Sequence, residues 1–441
     1  MSSLFFSTIR EATNAFRTKL VSGFGWNLVS TICLQGSVLL TGLILARVLG
    51  LETFGVYALA TTTVMTIVGV AQGGVGIIGT KFVGEWLYEK RSRIGGVLHV
   101  CAVFTLTTGI AASLLLAFGA SWLAEELLDN PGVAPTLQWA SMASLFHVQT
   151  VYLQGALQGF GAFRAISAAG AWVGLLHLLC SLGAAWAWSL DGAIIAFCFS
   201  AAARWWLFRR ALLACCRDHG IVRFSASQSE DWLLIWRFAL PAGLASLVTL
   251  PCLWGVTALV ARQPNGFAWV GLFAVAHQIR QSVLQLPILL NTVTSSVLSR
   301  LKGRNQGIEY WLVFRANLLI GLGVSIPAVI TLAYASENIL DLYGPGFKEG
   351  QDLLLVLLLS VIPELIGVAA YQLVQSSGRM WQSLFFIIIP RDFLYLTAAA
   401  WMLHHLSLVG AGWAYFTAYC IGCVATMAVG VSGRQQLPKG S

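Results

Sequence analysis

Ala46-Arg47-Val48-Leu49-Gly50-Leu51-Glu52-Thr53-Phe54-Gly55-Val56-Tyr57 is a short polar turn between two apolar runs, 22–45 and 56–79. Each run exceeds the ~20 residues that carry an α-helix across ~30 Å of hydrocarbon. Gly50 and Gly55 bracket Glu52, so the chain leaves the membrane, turns tightly and re-enters it. Gly55 lets the second helix start close to its neighbour, because a glycine adds no Cβ between two backbones.

The rest of the 441 residues follows the same pattern. The chain is 57% hydrophobic and only 10% charged, too little polar surface for a soluble protein of this length. Twelve apolar runs reach spanning length: 22–45, 56–79, 95–118, 135–157, 166–188, 191–208, 238–261, 267–298, 311–335, 353–375, 383–403 and 408–430. The eighth is too long for one straight span, and Pro287 offers a kink or a break within it. The fold class expected is an all-α polytopic membrane protein. A net charge of +8 suggests a polyanionic partner, but the distribution of that charge argues against nucleic acid. With both termini inside, 21 of the 26 Lys and Arg fall in cytoplasmic segments, and the outer loops hold Arg47, Arg262 and Lys348. That asymmetry is the positive-inside rule, and it reports topology. Cys420 and Cys423 form a lone C-x-x-C without the second ligand pair of a zinc site, so no metal is expected. No removable signal peptide is read before the first span.

An internal repeat divides the chain. Gly55–Ala60 answers Gly271–Ala276, Pro131-Gly132 answers Pro345-Gly346, Gln158–Gly161 answers Gln375–Gly378, and Gly192-Ala193 answers Gly410-Ala411. The four matches come in order at spacings of 214 to 218 residues. Six helices per half is an even number, so both halves share one orientation and the repeat axis stands along the membrane normal. The organisation expected is an amphipathic interfacial helix at 1–21, a six-helix bundle at 22–208 and a cytoplasmic linker at 209–237. A second six-helix bundle at 238–433 and a cytoplasmic tail at 434–441 complete it.

The opening turn resembles the first hairpin of polysaccharide-export flippases, the Wzx-like, O-antigen-type branch of the MATE/flippase (MOP) superfamily, in the pattern A-R-x-L-G-x-E-x-F-G-x-Y. Asp341-Leu342-Tyr343-Gly344-Pro345-Gly346-Phe347 is similar to an outer-loop motif of these transporters. Leu408-Val409-Gly410-Ala411-Gly412-Trp413-Ala414 is similar to the start of their twelfth span. The resemblance covers nearly the whole chain and implies a MATE-like pair of bundles.

Polar stripes on apolar helices mark where function could sit. His147, Thr150, Gln154 and Gln158 share one arc of the fourth span, and Glu364, Gly367, Tyr371 and Gln375 repeat the spacing on the tenth. The eighth span carries His277, Gln278, Arg280, Gln281, Gln285, Asn291, Thr292 and Ser295. Facing lipid, each such group would lack partners at a cost of about 1 kcal/mol or more. Interhelical hydrogen bonding is the ordinary use of a lone polar residue in a bundle. Three stripes, two of them repeat-related, favour a cavity. Four charges lie deep: Arg280, Glu364, Arg391 and Asp392. Arg391 and Asp392 are adjacent and ~100° apart on a helix, which argues against their pairing. Arg391 and Glu364 share a depth on one helical hairpin, as a structural pair or as functional groups. Arg280 has no partner legible in the sequence and is the first candidate ligand.

The resemblance implies a flippase that moves a polyprenyl-diphosphate-linked oligosaccharide from the cytoplasmic to the outer leaflet of the bacterial inner membrane. On that reading Arg280 and Arg391 hold the diphosphate, and Gln154, Gln158, Gln281 and Gln285 line the sugar path. Glu364 and its repeat mate His147 are the candidates for ion coupling. No cofactor is expected. The partners expected are the lipid-linked substrate, the bilayer and other polysaccharide-assembly proteins. A drug or metabolite antiporter of the same fold would usually display a carboxylate in the first or seventh span. Here the first span offers Asn27, Ser30, Thr31 and Gln35, and the seventh has no acid. A membrane glycosyltransferase or polymerase would need a larger outer loop with catalytic acids.

The topology is testable by membrane-impermeant labelling of single cysteines in a cysteine-free background. Cysteines at Glu52, Asp129 and Asn265 should label from outside, and those at Arg91 and Asp218 should not. Outer labelling at Asp218 would overturn the twelve-span reading.

Overall fold

A computed structural model describes residues 36–222, 232–233, 240–303, 307–377 and 379–432. The surface helix expected at 1–21, the start of the first span, most of the linker after 222 and the tail from 434 lie outside the described residues. Regular structure among the described residues is helical throughout. The order is α1 (Gly36–Leu49), α2 (Leu51–Ala71), α3 (Val75–Glu89), α4 (Arg91–Trp122), α5 (Ala134–Gly159) and α6 (Phe163–Asp218). Then come α7 (Leu240–Ala261), α8 (Gly266–Gly303), α9 (Gly307–Tyr334), α10 (Ser336–Tyr343), α11 (Gln351–Ser376), α12 (Met380–Leu406) and α13 (Val409–Ser432). Eight stretches of the described residues are long and apolar enough to cross a membrane. One of them, α6, is two spans joined at Trp188–Ser189, where the backbone leaves helical geometry. With α1 and the more polar α5 and α8, the described helices match the twelve runs read from the sequence.

Three boundaries differ from expectation. The opening turn is shorter, since α1 runs to Leu49 and α2 starts at Leu51, leaving only Gly50 at φ 77° to reverse the chain. The second span is broken inside the run expected to be continuous. Gly73 and Gly74 take φ 52° and 77°, a left-handed conformation that a residue with a Cβ adopts at a cost. The first ten residues of the expected linker are helical, because α6 continues to Asp218. Pro287 does not interrupt α8.

The repeat recurs in the backbone. Ser189 and Ser407, 218 residues apart, are both non-glycine residues at positive φ, 50° and 54°. After each turn a glycine lies against the preceding helix. A Cβ on Gly192 would sit 1.9 Å from the Ala184 carbonyl oxygen, and one on Gly410 would sit 2.2 Å from that of Met402. Both hairpins are therefore the same device, a serine that turns and a glycine that lets two antiparallel helices touch.

The two halves meet where α2 crosses α8. A Cβ on Gly55 would lie 1.8 Å from the Phe267 carbonyl oxygen, and one on its repeat mate Gly271 would lie 2.7 Å from that of Leu51. Phe54 packs edge-on against Phe347 at 6.1 Å, and Arg47 Nη1 donates to the Leu342 carbonyl at 3.5 Å. This end of the molecule, the Gly50 end, has one apolar core shared by both halves, running from Leu45 and Phe54 through Val275 to Leu354 and Ala414. The opposite end has two separate cores. One holds Val75, Ile94, Leu153 and Phe208 of the first half, and the other Leu298, Tyr310, Phe314 and Leu373 of the second. The halves are fused at one end and parted at the other.

Because backbone meets backbone at the crossing, no rotamer change can make room there. Gly55→Val should cost about 1–3 kcal/mol or more, as overpacking does. It should lower the thermal unfolding midpoint of the purified protein. Gly119→Val, where a Cβ meets nothing within 4 Å, should leave it unchanged.

Candidate functional site

The deep charges of the second half gather into one cluster. Arg280 on α8 is 1% exposed and forms an ion pair with Glu364, which follows Pro363 on α11. Its Nη2 lies 3.3 Å from His277 Nε2, one turn earlier, and donates at 3.3 Å to the Gln281 side-chain oxygen. The Tyr415 ring of α13 lies under the guanidinium at 4.4 Å, and the Tyr415 hydroxyl donates to Glu364 at 3.1 Å. Arg391 Nε donates to Asp392 at 2.7 Å, and the other oxygen of Asp392 accepts from Thr249 of α7 at 2.5 Å. Arg391 lies 4.8 Å from the Tyr419 ring. Tyr415 and Tyr419, one turn apart, stack at 4.1 Å and join the two ion pairs, with Tyr395 edge-on to Tyr415 at 5.2 Å.

Two expectations are corrected here. Arg280 is not without a partner, since Glu364 neutralises it. The candidate Glu364–Arg391 pair does not form, and Arg391 takes Asp392 instead. The sequence argument compared the directions of two Cβ atoms on a helix, whereas an arginine stem is long enough to fold back over the arc to its neighbour. The local helix helps. α12 passes through a π-helical turn at Leu384–Ile388, just before Pro390, which has no N–H to give. Two cations and two carboxylates make the cluster neutral, and each charge has a charged hydrogen-bond partner in a medium where an isolated one is expensive.

The other candidates divide among three cavities. Glu364 and Arg391 border one of 270 Å³ with Tyr371, Tyr419 and Thr426. Gln281, with His277 and Gln278, borders one of 360 Å³ between the halves, opposite Leu39, Thr62 and Thr66. Gln154 and Gln158 border one of 610 Å³ that also includes Thr80, Lys81 and, from α7, Ser246. Gln285 is half-buried on α8, one turn beyond Gln281. His147 stacks against Phe197 at 5.3 Å, and its Nε2 is buried without a hydrogen bond. Its mate Glu364 meets Tyr415 in the same way, and Phe197 and Tyr415 are themselves 218 residues apart. Part of the α8 stripe has the ordinary structural use: Asn291 accepts from Asn317 at 2.6 Å and from Gln372, and Thr294 donates to Asn317 at 3.0 Å.

Tyr395, Tyr415, Tyr419 and Thr249 escaped the sequence reading. Tyr415 and Tyr419 lie one helical turn apart deep in the last span, away from the interfaces that tyrosines usually mark. That spacing was the available signal. Arg204 was read as a cytoplasmic charge at the end of the sixth run. It packs on the Phe208 ring at 5.3 Å and donates to Gln154 at 3.4 Å instead.

The pairing is testable by double-mutant cycles. Glu364→Gln should lose about 3–5 kcal/mol of stability by leaving Arg280 buried and unpaired, and adding Arg280→Gln should restore much of it. The cycle of Glu364 with Arg391 should show a coupling within about 0.5 kcal/mol of zero. Denaturant unfolding in detergent reads both.

Comparison with known proteins agrees with this architecture. The family model described as polysaccharide biosynthesis protein matches residues 20–302. Among solved structures, the chain is similar to an inward-facing multidrug-resistance MATE transporter of the MOP superfamily. The identity is 15%, with 93% of this chain and 96% of that one covered at a TM-score of 0.81. It is similar to a MATE transporter of Vibrio cholerae (14% identity, 97% and 98% covered, TM-score 0.72). It is also similar to a MOP superfamily transporter of Pyrococcus furiosus (14% identity, 95% and 97% covered, TM-score 0.70). No curated protein sequence matches. These structural neighbours are transporters rather than enzymes, and at such identities they establish the fold alone. The chain is a multi-pass membrane protein with a MATE-like fold, and it belongs to the polysaccharide biosynthesis protein family.

Proposed function

We propose that this protein moves a polyprenyl-diphosphate-linked oligosaccharide from the cytoplasmic to the outer leaflet of the bacterial inner membrane by alternating access. The termini are cytoplasmic, the Gly50 end is outward, and bundles 22–208 and 238–433 rock about the Gly55–Gly271 crossing. One observation carries the reading: a cleft parted at one end only, bordered by amides and hydroxyls with guanidinium groups close behind. A hydrated glycan needs amide and hydroxyl partners, a diphosphate needs cations, and the prenyl tail can stay in lipid. Gln154, Gln158, Gln281 and Gln285 serve the glycan. Arg280 and Arg391 serve the diphosphate.

The Arg280–Glu364 pair gives this proposal a coupling step. In the present conformation Glu364 occupies the cation that the cargo needs. Arg280 Nε has no hydrogen-bond partner, so its planar fork retains a donor for phosphate. A proton on Glu364 removes the competing charge and frees Arg280 for the cargo, and loss of that proton returns Arg280 to Glu364. His147 holds the equivalent place in the first half.

The 360 Å³ cavity favours a second reading, a drug or metabolite antiporter. Leu253, Trp254 and Phe273 line it, and its volume lies within the range for a compact, largely apolar ligand. Leaflet exchange of a labelled polyprenyl-diphosphate oligosaccharide in proteoliposomes separates the two. We expect exchange that responds to an imposed proton gradient, that loses this response in Glu364→Gln, and that falls at least about tenfold in Arg280→Ala. Arg280→Lys should recover part of it, because lysine lacks the bidentate fork. Absence of exchange alongside proton-driven efflux of small amphiphiles would favour the antiporter.

A further inference from the structure

The three buried guanidinium groups are not alike. Arg280 has Glu364 and Arg391 has Asp392, but no carboxylate among the described residues pairs with Arg204. Its Nε is buried without a hydrogen bond. One long bond, 3.4 Å from Nη2 to the Gln154 side-chain oxygen, and the face of Phe208 are the contacts that hold the guanidinium. A cation taken out of water without a counter-charge costs several kcal/mol by order of magnitude, so the balancing anion is expected from outside the chain.

The surroundings of Gln154 point to what that anion is. Gln154 forms part of the wall of the 610 Å³ cavity, whose polar lining is Gln72, Thr80, Lys81, Gln154, Gln158 and Ser246. No Asp or Glu belongs to that lining. The break in the second span opens here too. Gly74, left-handed at φ 77°, precedes the fifteen-residue helix α3, and both Gly74 and Gly76 border the cavity. The first N–H groups of a helix have no partner within it, and the helix dipole adds a positive field at that end. The wall is rigid, because α3 and α5 touch through glycines. A Cβ on Gly155 would lie 2.1 Å from the Gly76 carbonyl oxygen, and one on Gly79 would lie 2.8 Å from the Ala156 nitrogen. Thr80 bridges the two helices, donating to the Gly155 carbonyl and to the Gln158 side-chain oxygen, each at 3.2 Å.

We infer that this cavity is an anion site at the parted end of the molecule, taking the phosphate groups of an isoprenoid diphosphate, with Arg204 as its buried counter-charge and the start of α3 and Lys81 as its further positive groups. The inference rests on the flippase reading and adds to it a reception point in the first half, ahead of Arg280 and in a different bundle. Gln154 is then the gate residue of the site. It holds Arg204 behind the wall when the cavity is empty and releases it to a phosphate oxygen when the cavity is filled.

The full-length chain in nanodiscs tests this by titration with farnesyl diphosphate, farnesyl monophosphate and farnesol, read by tryptophan fluorescence. The expected order of affinity is diphosphate, monophosphate, alcohol. Arg204→Gln should weaken diphosphate binding by about 10-fold or more, and Arg204→Lys should recover part of it. A second measurement leaves Arg204 in place. Thr80→Cys should react with a charged maleimide, and farnesyl diphosphate should protect it where phosphatidylglycerol at the same concentration does not. Equal protection by phosphatidylglycerol would overturn the diphosphate assignment in favour of a phospholipid headgroup. Unchanged binding in Arg204→Gln, with leaflet exchange by the wild type intact, would overturn the site and leave the flippase reading standing. Neither binding nor exchange by the wild type would overturn both.

Discussion

The structure depends on one contact between backbones, the crossing of α2 and α8 at Gly55 and Gly271. These residues are repeat mates, so each half presents the other with the same surface, and the approach is close because neither carries a Cβ. Everything at the Gly50 end follows from it. The hairpin turn at Gly50, the Phe54–Phe347 contact and the shared apolar core close that end. No comparable joint links the two cores at the other end, and there the cleft and its largest described cavity lie.

The second half carries its charge as a neutral cluster, and this constrains how charge can be used. A buried pair contributes little net stability over an apolar replacement, while breaking it by removing one partner is costly. Arg280 and Glu364 can therefore act together or exchange partners, but neither is idle when the other is lost. The stacked tyrosines Tyr415 and Tyr419 make the two pairs a single unit. A change at Glu364 then bears on Arg391 through aromatic faces, with no direct hydrogen bond between them.

The first half is a polar counterpart with the charges removed. His147 stands for Glu364 and Phe197 for Tyr415, and the ring contact is kept while the hydroxyl and the carboxylate are not. Its own cation, Arg204, sits nearer the parted end and has an amide for a neighbour in place of an acid. The two bundles share a backbone plan and divide the electrostatic work unequally, as a molecule with a single direction of transport requires.

The sequence by itself determined the class of protein, the number of spans and the repeat. Each rests on a local quantity: the length of an apolar run, the side of the membrane on which lysine and arginine fall, the spacing of matched glycines. Hydrocarbon thickness fixes the first, and backbone conformation at Ser189 and Ser407 reproduces the last. It also found the residues that carry charge into the membrane. Which of them meet was decided only by the tertiary structure. Arg280 chose Glu364 on another helix, Arg391 bent back to Asp392, and Arg204 was left without an acid. Those outcomes depend on helix rotation, on a π-helical turn and on the reach of a flexible side chain, none of which sequence spacing encodes. The break at Gly73-Gly74 was likewise undecidable in advance, since a glycine can serve a close contact or a left-handed turn. Here Gly76 does the first, and its two predecessors do the second.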